Sequence, residues 1–179
     1  MRITGMDFET ANTKNGSICA VGLAAFDNGE LVDTREWLIK PHMSRDYFYQ
    51  KFVDIHGISY FDVRQASAFA DVWRTISQFL TACDVVVCHN AKFDIRHLRA
   101  VLNIYELPPV DFKYACTLEL SRAGLPGLPH YDLKTVAGHF NHEFHHHDVL
   151  DDAIACGVIA HRLGIGNKYL KPFTKSNMR

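Results

Sequence analysis

Two acids set two residues apart open the chain's chemistry: Asp7 and Glu9, in Ile3-Thr4-Gly5-Met6-Asp7-Phe8-Glu9-Thr10. Side chains on an extended strand alternate faces, so both carboxylates project the same way with Phe8 opposed to them. That makes a pair of oxygen ligands for a hard cation. Two further acids stand out by their surroundings. Asp94 falls at helical spacing with Leu98, Val101 and Leu102, which aims its carboxylate toward the core side. The competing account of Asp94 is a first-turn acid stabilised by the helix dipole at about 0.3–1 kcal/mol. Asp152 lies in the segment 149–163, which is apolar nearly all round and so reads as a buried helix. A buried unpaired carboxylate costs several kcal/mol unless it is protonated, hydrogen-bonded or bound to a metal. Asp148 and Asp151 need no such account, being a natural N-cap and a first-turn acid. His147, five residues before Asp152, adds a group that titrates near neutrality.

The elements that must position these residues are legible in outline. After the opening strand, the apolar run 17–26 suits a central strand, Asn28-Gly29 supplies a tight hairpin turn, and a third strand follows at 31–39. Three strands joined by short turns predict an antiparallel meander. The stretch 43–67 is irregular and aromatic, with His56-Gly57-Ile58 as a turn. Apolar positions 69, 72, 73, 76, 79 and 80 predict a helix, and Val85-Val86-Val87-Cys88 a buried strand of the parallel kind. Asn90 is placed to cap the helix that starts near Ala91 and carries Asp94. A fifth strand is expected at 112–116, with short helices at 117–123 and from about Tyr131 to Phe140 around the Gly- and Pro-containing loop 124–130.

Composition bounds the rest. The chain of 179 residues is 47 % hydrophobic and 22 % charged, enough to bury one substantial core, and disorder of the whole chain is excluded. Its formal charge of -1 means that any nucleic-acid contact must come from local basic patches and metals rather than from a global field. Cys19, Cys83, Cys88, Cys116 and Cys156 form no C-x-x-C pair and read as free thiols of a reducing compartment. Asp7 and Glu9 interrupt any signal-peptide core, and no stretch approaches the roughly 20 apolar residues of a membrane span. A cytoplasmic location is expected. The domain is expected over 1–166. Residues 167–179, with Lys168, Lys171, Lys175 and Arg179 and no acid, are expected to form a basic, partly ordered tail.

Three segments, Asp7-Phe8-Glu9-Thr10, His89-Asn90-Ala91-Lys92-Phe93-Asp94 and His147-Asp148-Val149-Leu150-Asp151-Asp152-Ala153, together resemble the motifs of the DEDDh (DnaQ-like) exonucleases, the family that includes the proofreading epsilon subunit of bacterial DNA polymerase III. His56-Gly57-Ile58 is similar to a loop of the same family. The resemblance covers residues 6 to 153. It implies an RNase H-like α/β fold with a five-stranded mixed sheet, three strands antiparallel and two parallel, flanked by helices. It also implies a metal-dependent 3′-5′ exonuclease that releases nucleoside 5′-monophosphates from DNA, with an RNA-trimming exoribonuclease as the alternative. Two Mg²⁺ or Mn²⁺ ions are the implied cofactors. Two carboxylates about 4 Å apart repel by roughly 4 kcal/mol at an effective dielectric of 20, so four together require cations. The resemblance assigns Asp7 to both metals, Glu9 and Asp152 to the one that activates water, Asp94 to the other, and His147 as general base. Thr10, His56, Ile58, Asn90 and Phe93 are the implied contacts of the terminal nucleotide.

His139, His142, His145 and His146 crowd the loop before His147. An H-x-x-H-x-x-H spacing there could bind zinc, although a solvated histidine-rich loop accounts for them more simply. The implied partner is nucleic acid, at a DNA 3′ end or in RNA, with no membrane. A DNA polymerase subunit is the further candidate partner, but the chain ends only 16 residues beyond Leu163. A free-standing enzyme or an excised domain is therefore expected.

Overall fold

The computed structural model describes residues 1–174. A single mixed sheet runs in the order β3-β2-β1-β4-β5-β6. β1 (Arg2–Thr10), β2 (Ile18–Asp27) and β3 (Glu30–Leu38) form the antiparallel meander. The turn between β2 and β3 has Asn28 and Gly29 at φ 49° and 92°, the positive angles that made Asn-Gly a hairpin signal. β4 (Val85–Cys88) and β5 (Phe112–Cys116) add in parallel to β1.

The sheet is covered on both faces, and the period-two alternation of its strands decides which side chain meets which layer. Met6, Phe8, Leu23 and Val86 pack against α3 (Phe69–Ala82) and α4 (Lys92–Ile104) through Ile76, Leu80, Leu98 and Leu102. Ile3, Ala24, Phe26, Val85 and Val87 pack against α6 (Leu133–His139) and α7 (Val149–Leu163) through Val136, Ala153, Cys156 and Ile159. Asp7 and Glu9, in phase with Ile3, therefore belong to the α7 face. The aromatic stretch before α3 holds two short helices, α1 (Gln50–His56) and α2 (Tyr60–Val63), and α5 (Thr117–Gly124) follows β5.

Two glycines let α7 lie directly on the strands. A Cβ on Gly5 would sit 1.9 Å from the Ala153 carbonyl oxygen, and one on Gly22 would sit 2.0 Å from that of Val149. Both distances are far inside van der Waals contact, so only glycine permits the approach that brings the start of α7 beside the end of β1.

Two expectations require correction. The sheet has six strands rather than five, because Lys171–Phe173 (β6) pairs antiparallel with β5. Phe173 is fully buried and stacks on Phe112 at 4.6 Å, an anchor that a three-residue strand inside a cationic stretch does not advertise. The segment expected as a basic, partly ordered tail outside the domain thus begins with a 3-10 turn, Asn167–Tyr169, and a strand integral to the sheet. Lys175 and Arg179 lie outside the described residues. The second correction concerns Asn90, which does not cap α4 with its side chain. Ala91 occupies the cap position and Asn90 adopts φ 65°, a left-handed conformation that asparagine tolerates where the chain turns sharply from β4 into the helix. Among the described residues, Cys19, Cys88, Cys116 and Cys156 are buried free thiols, Cys83 is half-buried, and no helix is long and apolar enough to cross a membrane.

Candidate active site

β1 and β4 are parallel, so their carboxyl ends lie at one edge of the sheet, where α4 begins and where α7 is pressed onto β1. Crevices outside the carboxyl ends of strands are where open α/β sheets gather ligands. Here Asp7, Glu9 and Asp152 bring carboxylate oxygens within 4.8 Å of one another. Burial, then Asp94, Asp152 and Glu9, push the Asp7 carboxyl well above the ordinary carboxylate range. Burial and Asp152 push Glu9 up to about 8.

Asp94 resolves to the core-facing reading, not the solvated first-turn one. It is 1 % exposed, and neither carboxylate oxygen has a hydrogen-bond partner. Burial, with Glu9 and Asp152 in the same direction, raises its pKa well above the usual range. Its own amide and that of Phe8 oppose that shift without making a hydrogen bond to either oxygen. An orphaned buried carboxylate beside three other acids is the donor set of a hard divalent cation, and the fit to Mg²⁺ or Mn²⁺ is good.

His147 sits on the rim, its Nδ1 4.0 Å from Glu9 Oε1. Its backbone is held at φ 72°, and its N–H donates to Asp152 Oδ2 at 3.2 Å. Burial, then His146, lower its pKa, so the imidazole is neutral and able to accept a proton near pH 7. Asp148 caps α7 by accepting from the amides of Leu150 and Asp151, as the sequence indicated.

His146 is the residue that the sequence reading misplaced. Its Nδ1 lies 3.1 Å from Asp152 Oδ1 and its ring stacks on His147 at 3.9 Å, so it belongs to the acid cleft and not to a solvated loop. Only its six-residue separation from Asp152, across an N-cap turn, could have given it away. His145 instead meets Asp151, and His142 stacks on Phe144. Among the described residues the groups suited to a metal are Asp7/Glu9/Asp152 and His146/His147/Asp152, and the spaced histidines at 139, 142 and 145 form none.

The residues expected at the terminal nucleotide divide. Phe93 lines the acid cleft together with His89, Leu133 and His146. His89 is held by Thr117 and by the Tyr131 carbonyl. His56 and Ile58 line an adjoining depression with Trp37 and His147. Thr10 lines neither; its carbonyl accepts from His56 Nε2 at 3.2 Å, while the Ile58 amide donates to His56 Nδ1 at 3.0 Å. That pair of bonds fixes the His56 ring. Asn90 faces a different groove, on the far side of the α4 start.

Comparison with known proteins agrees with this geometry. The sequence matches the exonuclease (RNase_T) family over residues 4–159. It is 31 % identical over 160 residues to the DNA polymerase III PolC-type of Oceanobacillus iheyensis, covering 88 % of this chain and 11 % of that one. To the DNA polymerase III subunit epsilon of Treponema pallidum it is 28 % identical over 158 residues, covering 86 % and 72 %. The chain thus spans about a tenth of the length of the PolC-type relatives. Among solved structures, exonuclease X in complex with 5′ overhanging duplex DNA superposes with a TM-score of 0.72 at 23 % identity, over 90 % of this chain and 89 % of that one. The nuclease domain of 3′hExo, a DEDDh family member bound to rAMP, gives 0.73 at 17 %, over 90 % of each. The DEDDh family uses divalent metals, and the acid cluster they call for is in place. The chain belongs to the exonuclease (RNase_T) family.

Proposed function

We propose that this exonuclease acts on the 3′ end of DNA and releases nucleoside 5′-monophosphates, with Asp7, Glu9, Asp94 and Asp152 as ligands of two divalent cations and His147 as general base. The observation that carries the reading is the clustering of Asp7, Glu9 and Asp152, with the orphaned buried carboxylate of Asp94 near enough to raise the Asp7 pKa, beside a neutral histidine. Asp7 would be a ligand of both cations, Glu9 and Asp152 would hold one of them, and Asp94 would hold the other. When bound, the cations supply charge neutralisation and Lewis-acid stabilisation of the attacking and leaving oxygens.

The protein's own residues do the rest. With Nδ1 turned toward Glu9, His147 keeps Nε2 as the lone pair that takes the proton of the attacking water. The new bond joins the water oxygen to the phosphorus of the terminal nucleotide. The bond to the 3′ oxygen of the preceding residue breaks, and that oxygen leaves as a hydroxyl after protonation from solvent. His146 and the His147 amide orient Asp152. Phe93 offers a face for the terminal base, and the fixed ring of His56, with Ile58, walls the other side.

The DNA reading is supported by the names of the relatives, which are DNA polymerase III proteins, and by the duplex bound to exonuclease X. The rAMP held by 3′hExo keeps RNA as the second reading. A panel of single-stranded DNA, 3′-mismatched duplex and RNA of the same sequence, each with Mg²⁺ and with Mn²⁺, separates the two. Stepwise 3′ shortening of DNA with nucleoside 5′-monophosphate as product is expected, and shortening of RNA alone would overturn the DNA reading. A polymerase partner is a proposal on the same footing, and co-purification of a polymerase chain would support it.

A further inference from the structure

A strongly cationic groove begins beside the acid cleft and runs away from it. Lys92, Arg96 and Arg99 fall at i, i+4 and i+7 on the outer side of α4, opposite the face that carries Asp94 and Leu98. Arg122 of α5 and Lys171 of β6 face them across the groove, and Tyr114 of β5 lies between. Five cationic side chains thus meet a single carboxylate, Glu119, which is already paired with Lys171 at 2.6 Å. Among the described residues none of the other four has a carboxylate partner. Arg99 packs its guanidinium 5.4 Å from the centre of the Phe173 ring, and its Nε is buried with no hydrogen-bond acceptor. Such a donor is costly to leave unpaired. Arg96 lies 5.9 Å from the centre of the Phe93 ring, which ties the groove to the cleft where the terminal base is expected.

A chain of net charge -1 that concentrates its free cations here has little else to gain from the arrangement. From Lys92 to Arg99 the helix rises about 10 Å, the axial length of about three nucleotides of a B-form strand. Tyr114 adds a face on which a base can stack.

We infer that this groove is a second nucleic-acid subsite, holding backbone phosphates that lie beyond the scissile terminal nucleotide. It rests on the exonuclease reading of the acid cleft and not on the choice between DNA and RNA. Its function is to hold the polymer between cuts, so it acts on affinity for long substrates.

The double variant Arg96→Gln/Arg122→Gln tests it, both side chains being exposed. The ratio of KM for a twelve-nucleotide strand to KM for the nitrophenyl ester of thymidine 5′-phosphate is expected to rise about five- to tenfold with kcat retained. The slope of log KM against log salt is expected to fall by about 0.7 for each single-strand phosphate contact removed. Arg96→Lys/Arg122→Lys should keep most of the affinity, which separates charge from misfolding. A rise with single strands as well as with 5′-overhanging duplex supports the proposal, whereas a rise seen only with the duplex would place the groove on the complementary strand and overturn it. An unchanged ratio and slope, as a groove built for an acidic peptide would give, overturns the proposal. A wild type that cleaves the ester but no polymer overturns the exonuclease reading itself, and the groove's role with it.

Discussion

At the scale of single residues, Asp94 and Glu9 decide how the site behaves without metal. Glu9 has its pKa raised from 4.5 to about 8, so in the metal-free protein near pH 7 it is largely protonated. A carboxyl whose folded pKa exceeds its unfolded value contributes stability that is fully present below the unfolded pKa and lost as pH rises through the folded one. For Glu9 that window runs from 4.5 to about 8, and Asp7 and Asp94 shift in the same direction. His97 opposes it at lower pH. It is 2 % exposed, accepts a hydrogen bond from the Gly16 amide, and has its pKa lowered to about 4. Its contribution is present above pH 6.5 and lost as pH falls toward 4. Between pH 6.5 and 8 the histidine is silent and the acids act alone. The metal-free melting temperature should therefore fall across that interval, by roughly 2 kcal/mol or about 5 °C from Glu9, with Asp7 and Asp94 acting in the same direction. Millimolar Mg²⁺ or Mn²⁺ should restore it, and more at pH 8 than at 6.5 because metal competes with protons. Thermal melts with and without metal check this. A melting temperature that is flat with pH and indifferent to metal would speak against the cluster.

At the scale of elements, the site depends on where α7 rests. Asp152 reaches Asp7 because Gly5 and Gly22 admit the helix backbone to the sheet surface. Gly5→Ala should push α7 away from β1, destabilising the protein by about 1–3 kcal/mol as overpacking does, and lowering turnover further than the stability loss explains. Urea unfolding and kcat measured on the same preparation check both halves, and full activity in a stable variant would show that the approach is not needed. The elements themselves were legible where one periodicity ran unbroken. The strand Val85–Cys88 and the helix Val149–Leu163 carry their pattern in every residue. β6 was not legible, since three residues of mixed character owe their strand state to Phe173 stacking on Phe112. Asn90 was read as a cap because its type suits one, but the turn from β4 to α4 claimed its backbone instead.

At the scale of the whole molecule, a nearly neutral chain separates its charges into an acid cleft and a basic groove that meet at the start of α4. The acids could be found in the sequence because a carboxylate in an apolar helix, or on its inward face, needs a partner that the local sequence does not supply. Asp94 and Asp152 are such residues. His146 escaped because histidines crowd its loop and only the folded turn selects one for Asp152. The groove escaped because α4, α5 and β6 each supply a part of it, and no single segment shows the whole. The central claim is that the four acids hold the metals and that His147 moves the proton. Counting bound Mn²⁺ by electron paramagnetic resonance, alongside turnover of one oligonucleotide, tests both in a single preparation of wild type, Asp7→Asn and His147→Ala. The account predicts that Asp7→Asn loses Mn²⁺ and turnover together, and that His147→Ala keeps its Mn²⁺ while losing turnover about 10²- to 10⁴-fold. Full Mn²⁺ occupancy in Asp7→Asn, or equal loss of metal in both variants, would contradict it.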